Sequence, residues 1–241
     1  MDFKNVYEDP ERAEAYAKLE FPGTYYLAFR DIPALIREYI SGKKAFDFGC
    51  GTGRSTIFLR KLGFEVVGVD ISREMLKKAR ELDPNGGYVL VEDGNLRDFP
   101  EGTFDLVMSA FTFDNIPTME KKALIFRELK RILKWNGCMV NLVSSPEIYT
   151  HEWASFTTKD FPENLYAQSG DKVKIVMTDV PDRRPVEDIS WSPEDYKVVF
   201  RKAGLKIAKK IMPLASGNEP YAWVSETSVA PWTIYALKYE I

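Results

Sequence analysis

The chain has 241 residues, enough for one sizeable α/β core and too few for two independent domains, so a single domain over 1–241 is expected. Hydrophobic residues make up 45% and charged ones 29%, the balance of a globular protein rather than a disordered or fibrous one. Lys plus Arg total 33 against 36 Asp plus Glu, a net charge of −3, so no basic surplus marks nucleic acid as a partner.

The opening stretch, MDFKNVYEDPERAEAYAK, is polar where a secretory signal needs an apolar centre. No run of 18 apolar residues occurs, so neither export nor a membrane partner is expected, and the setting is cytoplasmic. Cys50 and Cys138 are the only cysteines, far apart, and suggest no disulfide framework and no metal cluster. Residues 9–40 read as two helices joined around EFPGTYY, and 1–42 as a helical cover. From Lys43 strand and helix alternate. KKAFDF is a strand, GRSTIFLRKLG a helix closed by Gly63, and FEVVGVD a second strand. Ser72 then N-caps a helix through Leu82, followed by strands GGYVLVE and FDLVMSA. TMEKKALIFRELKRILKWNG reads as a helix stopped at Asn136-Gly137, ahead of the strand CMVNLVSS. Residues 146–192 break this rhythm and read as an insertion, with DKVKIVMTD an exposed-looking strand. The end returns to order with the capped helix SPEDYKVVFRKAGL and the strands KIAKKIMPL and WTIYALKYEI. The alternation predicts a doubly wound, mainly parallel α/β sheet.

The stretch AFDFGCGTGRST carries the chemistry. Removing Cβ at alternate positions lets Gly49, Gly51 and Gly53 turn tightly, while the new helix presents free N–H groups to a polar ligand. Asp70 stands at the end of the next strand, where a carboxylate can accept both hydroxyls of a ribose. A dinucleotide site needs G-x-G-x-x-G, and here the sixth position is Arg54. That counts against a nicotinamide or flavin enzyme.

Residues 45–143 resemble the core of the class I S-adenosylmethionine-dependent methyltransferases. The acidic-G-x-G-x-G motif is matched by Asp47, Gly49, Gly51 and Gly53. Asp70 falls on the ribose-binding acid, and VEDGNLRDFPEGTFDLVMSAFTFDNIP is similar to the third and fourth motifs. The resemblance implies a Rossmann-like fold of seven strands, with a cofactor-binding core over 43–145, a lid over 146–192 and the rest of the sheet over 193–241. It implies S-adenosyl-L-methionine as cofactor and S-adenosyl-L-homocysteine as product. It assigns the methionine end to the glycines, Cys50 and Asp47, the ribose to Asp70, and the adenine to Asp93, Gly94 and Asn95 with apolar contact from Ile71 and Met75. Ser109, Ala110 and Phe111 run along the cofactor, and Tyr25 and Arg30 offer a partner for the methionine carboxylate. Where many small-molecule members carry a His pair, this chain has Asp114 and Asn115.

His151, the one histidine, is the candidate base, set against a plain surface role. Tyr149, Trp153, Tyr166, Trp191 and Trp223 are candidates to shape an acceptor pocket, or else form a small core of their own. The expected function is methyl transfer to a small-molecule acceptor by direct displacement, catalysed mainly by positioning, in a monomer or a homodimer. The alternatives are methylation of a protein or RNA, and cofactor binding without catalysis.

Overall fold

The computed structural model describes residues 9–10, 22–92 and 94–240. A seven-stranded sheet runs in the order β3-β2-β1-β4-β5-β10-β9. Its strands are β1 Lys44–Phe48, β2 Glu65–Asp70, β3 Gly87–Leu90, β4 Phe104–Ala110, β5 Leu133–Ser144, β9 Leu205–Ile211 and β10 Trp232–Tyr239. The pairings of β1 to β5 are parallel, and β10 runs antiparallel between β5 and β9. The chain reverses from β1 outward to β2 on one side and β4 on the other, so their carboxyl ends open a crevice, the place where such sheets take ligands.

β4 is buried along almost its whole length, as a central strand covered on both faces must be. Leu106 and Met108 enter the core on one face, and Phe104 and Val107 that on the other. The helices flanking the sheet are set by their caps. Ser72 Oγ accepts from Met75 N at 3.2 Å and turns Met75, Leu76 and Ala79 inward. Ser192 and Asp195 form a reciprocal capping box at the helix Pro193–Lys202.

Two expectations are corrected. The helix Met119–Ile132 ends well before Asn136-Gly137, and β5 begins at Leu133. The last carbonyls, of Arg131 and Ile132, accept from Gly102 and Thr103 in the loop before β4, and buried Leu133 pairs with Phe104. Those tertiary bonds outweigh the local stop signal. Asn136-Gly137 instead lie at a register irregularity, where a Cβ on Gly137 would come 2.9 Å from the Asp105 carbonyl oxygen. The other correction concerns residues 9–40, of which 11–21 lie outside the described residues. After EFPG the chain makes two short helices, Thr24–Arg30 and Ile32–Tyr39, and Pro33 starts the second.

Residues 146–192 carry a second, antiparallel sheet of β6 Phe156–Thr157, β7 Lys172–Met177 and β8 Val186–Ile189. β7 is only half exposed, because Val173, Ile175 and Met177 face the core. Glu226 ties this segment down. Fully buried, its Oε1 accepts from Thr24 Oγ1 at 2.6 Å and Ala154 N at 2.8 Å, and its Oε2 accepts from Val224 N at 2.8 Å. The outer strands are protected differently: β3 has 4 residues, and β9 exposes Lys206, Lys209 and Lys210. Among the described residues no helix is long and apolar enough to cross a membrane.

Asp47 is interior, not part of any opening. Its Oδ2 accepts from Ser55 Oγ and Thr56 Oγ1, both at 2.6 Å, and so anchors the helix Arg54–Lys61 to β1. Its Oδ1 is buried without a partner, and burial lifts the carboxyl to about 6 against the pull of the two hydroxyls.

Two measurements test these assignments. Glu226→Ala strands three donors and should lower the urea unfolding free energy by roughly 3 kcal/mol or more; a loss well below about 1 kcal/mol would mean that water replaces the carboxylate. For Asp47 the folded protein holds its proton more tightly than the unfolded chain, so the associated stability is present below the unfolded value and is lost as pH rises towards 6. Asp47→Asn removes that loss, and its stability relative to the parent should improve by up to roughly 3 kcal/mol between pH 4 and 7. A difference independent of pH would show that Asp47 is ionised throughout.

Candidate functional site

β1 ends at Phe48 and the chain turns through Gly49 to Gly53 into the helix Arg54–Lys61. Two glycines here have separate reasons. A Cβ on Gly49 would fall 2.2 Å from Thr112 Oγ1, a hydroxyl that donates to the Phe48 carbonyl at 3.0 Å. Gly51, at φ +53, would meet nothing within 4 Å, so its bare face looks into open space. Asp70 fixes the turn from the side: Oδ2 accepts from Gly51 N and Oδ1 from Ser72 N, each at 2.8 Å.

Above the turn lies a cavity of about 1230 Å³, counting the open space at its mouth. Gly49, Cys50, Gly51, Asp70, Ile71, Met75, Gly94, Ala110 and Phe111, all candidates from the sequence, line it. The remaining described candidates lie off this wall. Asp47 lies beneath the turn, Gly53 faces Tyr88, and Asn95 is exposed and accepts from Arg97 N. Ser109 is buried in the core with its hydroxyl unpartnered. Asp93 lies outside the described residues. Burial raises the Cys50 thiol well above its ordinary pKa, which fits an inert wall residue.

The methionine-carboxylate candidates have contacts of their own. Arg30 is committed elsewhere, with a double bond set to Asp31 at 2.9 Å and further contacts to the Leu214 carbonyl at 2.9 Å and Glu219 at 3.5 Å. Tyr25 is buried, its hydroxyl 3.5 Å from Met177 Sδ. The residue that sequence reasoning missed is Arg54. Its guanidinium lies 4.6 Å over the Tyr25 ring and 5.9 Å from that of Phe29, on the cavity wall. The signal was present, since Arg54 is the residue that spoils the dinucleotide pattern.

Arg54, Phe111 and Asn115 also line a second cavity, of about 490 Å³ counted the same way, so the two adjoin. Its walls are mostly apolar, with Phe111 and Trp232 rings 4.8 Å apart and Tyr25 and Phe156 rings 5.1 Å apart. Phe111 takes an unusual left-handed φ of 64° where β4 ends, between the two cavities. At the polar end stand Asp114, from the turn Thr112–Asn115, and Asp188, from β8. Asp114 Oδ2 accepts from Ser144 N at 3.1 Å, and Tyr149 donates its hydroxyl to Asp188 Oδ2 at 3.0 Å. Buried Lys122 donates to the Phe113 carbonyl and lies 4.9 Å over Trp191. Burial, and then the neighbouring charge of Asp188, raises the Asp114 carboxyl, while burial lowers Lys122.

Of the predicted acceptor residues only Tyr149 reaches this cavity. Trp153 is buried and donates to the Ile148 carbonyl at 2.8 Å, Trp191 packs under Lys122, and Trp223 donates to Glu219 at 3.2 Å. Tyr166 is 84% exposed. His151 lines neither cavity. Its Nδ1 lies 3.0 Å from Thr150 Oγ1 and 3.1 Å from the Glu147 carbonyl, which ties the ring to its own turn.

Residues 46–141 match the family described as a methyltransferase domain. The chain is 36% identical over 179 residues to the demethylmenaquinone methyltransferase of Staphylococcus carnosus, a match covering 68% of each protein. It is 38% identical over 102 residues to the 2-methyl-6-phytyl-1,4-hydroquinone methyltransferase of Synechocystis; that match spans 41% of this chain and only 31% of the relative. Among solved structures, the CcbJ methyltransferase of Streptomyces caelestis superposes over 100% of both chains with a TM-score of 0.68 at 17% identity, a likeness of fold. With the bare turn, its carboxylate and the seven-stranded order already in place, these matches identify the chain as a member of the class I S-adenosylmethionine-dependent methyltransferases.

Proposed function

We propose that this chain moves the methyl group of S-adenosylmethionine to a small hydroxylated aromatic molecule held in the second cavity. The observation that carries the reading is the meeting of two cavities of different character, one at a bare glycine turn and one walled by aromatic rings, at Arg54, Phe111 and Asn115. The relatives named for a hydroquinone and for demethylmenaquinone point to the same acceptor class. An RNA or protein acceptor would ask for an open, basic cleft, and these walls are mostly apolar.

The residues present fit the cofactor. A Cβ at Gly51 would stand in otherwise open space, so the turn is left uncovered for a ligand, and the cavity offers a carboxylate beside apolar walls. When bound, S-adenosylmethionine supplies a methyl carbon already activated by the positive sulfur, whose bond electrons leave with the sulfur. Alignment is then the main task of the protein. Gly49 and Gly51 give backbone to the methionine end, and Arg54 presents a planar fork to its carboxylate. Asp70 accepts from the ribose hydroxyls, held for that purpose by the Gly51 and Ser72 amides. Ile71, Met75 and Val91 form an apolar slot for the adenine, with Gly94 at its edge. The chain works as one domain over 1–241, and residues 146–192 act as a lid that walls the acceptor side and keeps water from the reacting centre.

Titration calorimetry with S-adenosylhomocysteine tests the cofactor side. Binding is expected, with none for NAD. Asp70→Ala should weaken it by about 1 to 3 kcal/mol, Arg54→Met should weaken it as well, and Arg30→Ala should leave it unchanged. If Arg30 matters and Arg54 does not, the carboxylate partner has been wrongly assigned.

A further inference from the structure

The methyl-transfer reading leaves one proton unaccounted for. A hydroxylated ring is a poor nucleophile until its O–H is lost, and His151, the candidate base weighed against a surface role, is bonded within its own turn and lines neither cavity. We propose that Asp114 and Asp188, acting as a pair at the polar end of the second cavity, are the proton acceptor for the acceptor hydroxyl; this rests on the methyl-transfer reading above. In the step the O–H bond breaks, its electron pair stays on the acceptor oxygen, and the proton passes to a carboxylate of the pair. The oxyanion raises the electron density of the ring carbon that takes the methyl group, and that carbon supplies the pair that bonds to the methyl carbon as the carbon–sulfur bond breaks onto sulfur. Once that carbon is substituted, its C–H bond returns its electrons to the ring, that proton leaves to solvent, and the proton held by the carboxylate goes back to the oxygen.

Three observations carry the assignment. Both carboxylates line the cavity although they come from distant elements, the turn after β4 and β8, and the cavity adjoins the one that holds the glycine turn. Their contacts include hydrogen bonds that orient them: Ser144 N donates to one oxygen of Asp114, and the Tyr149 hydroxyl donates to one of Asp188. The environment also suits a neutral acceptor. Facing Asp114 are Asp188 from β8, Lys122 from the helix Met119–Ile132, Tyr196 from the helix Pro193–Lys202 and Tyr149 from the turn Pro146–Tyr149. Arg54 and Tyr25 complete the ring across the cavity. Acidic and basic side chains thus face each other across the site, with Lys122 beside Asp114. Burial, and next the charge of Asp188, raises the Asp114 carboxyl to about 7, where a base is most useful.

The test uses the whole chain with 2-methyl-1,4-naphthohydroquinone, kept reduced, and benzylamine as probes, S-adenosylhomocysteine formation as the rate readout, and calorimetry for binding. The parent is expected to bind the hydroquinone when saturated with S-adenosylhomocysteine and to methylate it, with kcat rising with pH through an inflection near neutrality. Asp114→Asn and Asp188→Asn should each lower kcat by about 100-fold or more and abolish that inflection, with affinity for S-adenosylhomocysteine unchanged. Unchanged affinity also shows that the variants are folded. Tyr149→Phe withdraws a hydrogen bond from the Asp188 anion and should move the inflection to higher pH, a change that a merely structural tyrosine would not cause. Variants that keep the parental kcat and inflection overturn the proposal, as does turnover of benzylamine without the hydroquinone, or failure of the parent to bind or methylate the hydroquinone. Failure to bind S-adenosylhomocysteine at all defeats the methyl-transfer reading itself and is a separate result.

Discussion

The structure around the site depends on one carboxylate. Asp70 closes β2 and accepts from the amides of Gly51 and Ser72, so it joins the glycine turn after β1 to the start of the next helix. Other bonds shape the same turn, from Gly49 N and Cys50 N to the Val69 carbonyl and from Gly53 N to the Cys50 carbonyl, while a Cβ at Gly51 would touch nothing among the described residues. Asp70 also lines the cavity above the turn, so backbone amides fix its carboxylate at the cavity's edge.

From this anchor the rest follows in layers. The parallel strands place several chain reversals at one edge of the sheet, and Asp47, hidden below, holds the helix after the turn through Ser55 and Thr56. The segment 146–192 brings its own small sheet over the neighbouring end, and Glu226 secures that sheet to the helix Thr24–Arg30 and to the loop before β10. Two cavities meet where β4 ends, beside the left-handed backbone of Phe111.

Much of this was legible in the sequence because it is local. The glycines, Asp70 and the Ser72 cap lie within a short stretch, and alternation of strand and helix gave the sheet. The stop at Asn136-Gly137 misled because the helix end is set by Gly102, Thr103 and Phe104, distant in sequence. Arg30 looked suitable by type, yet Asp31, its immediate neighbour, claims it. The pairing of Asp114 with Asp188 was invisible for a deeper reason: β8 belongs to the second sheet, and no periodicity says which part of the first sheet that layer will cover. His151 drew attention for its chemistry, but a side chain's direction is not written in its type.

The two margins of the main sheet carry a consequence of their own. On one side β3 offers a very short ladder, and on the other β9 presents a row of ammonium groups that would have to lose their water before another strand could align there. Lateral growth of the sheet into ribbons or fibres is thereby discouraged at both of its edges.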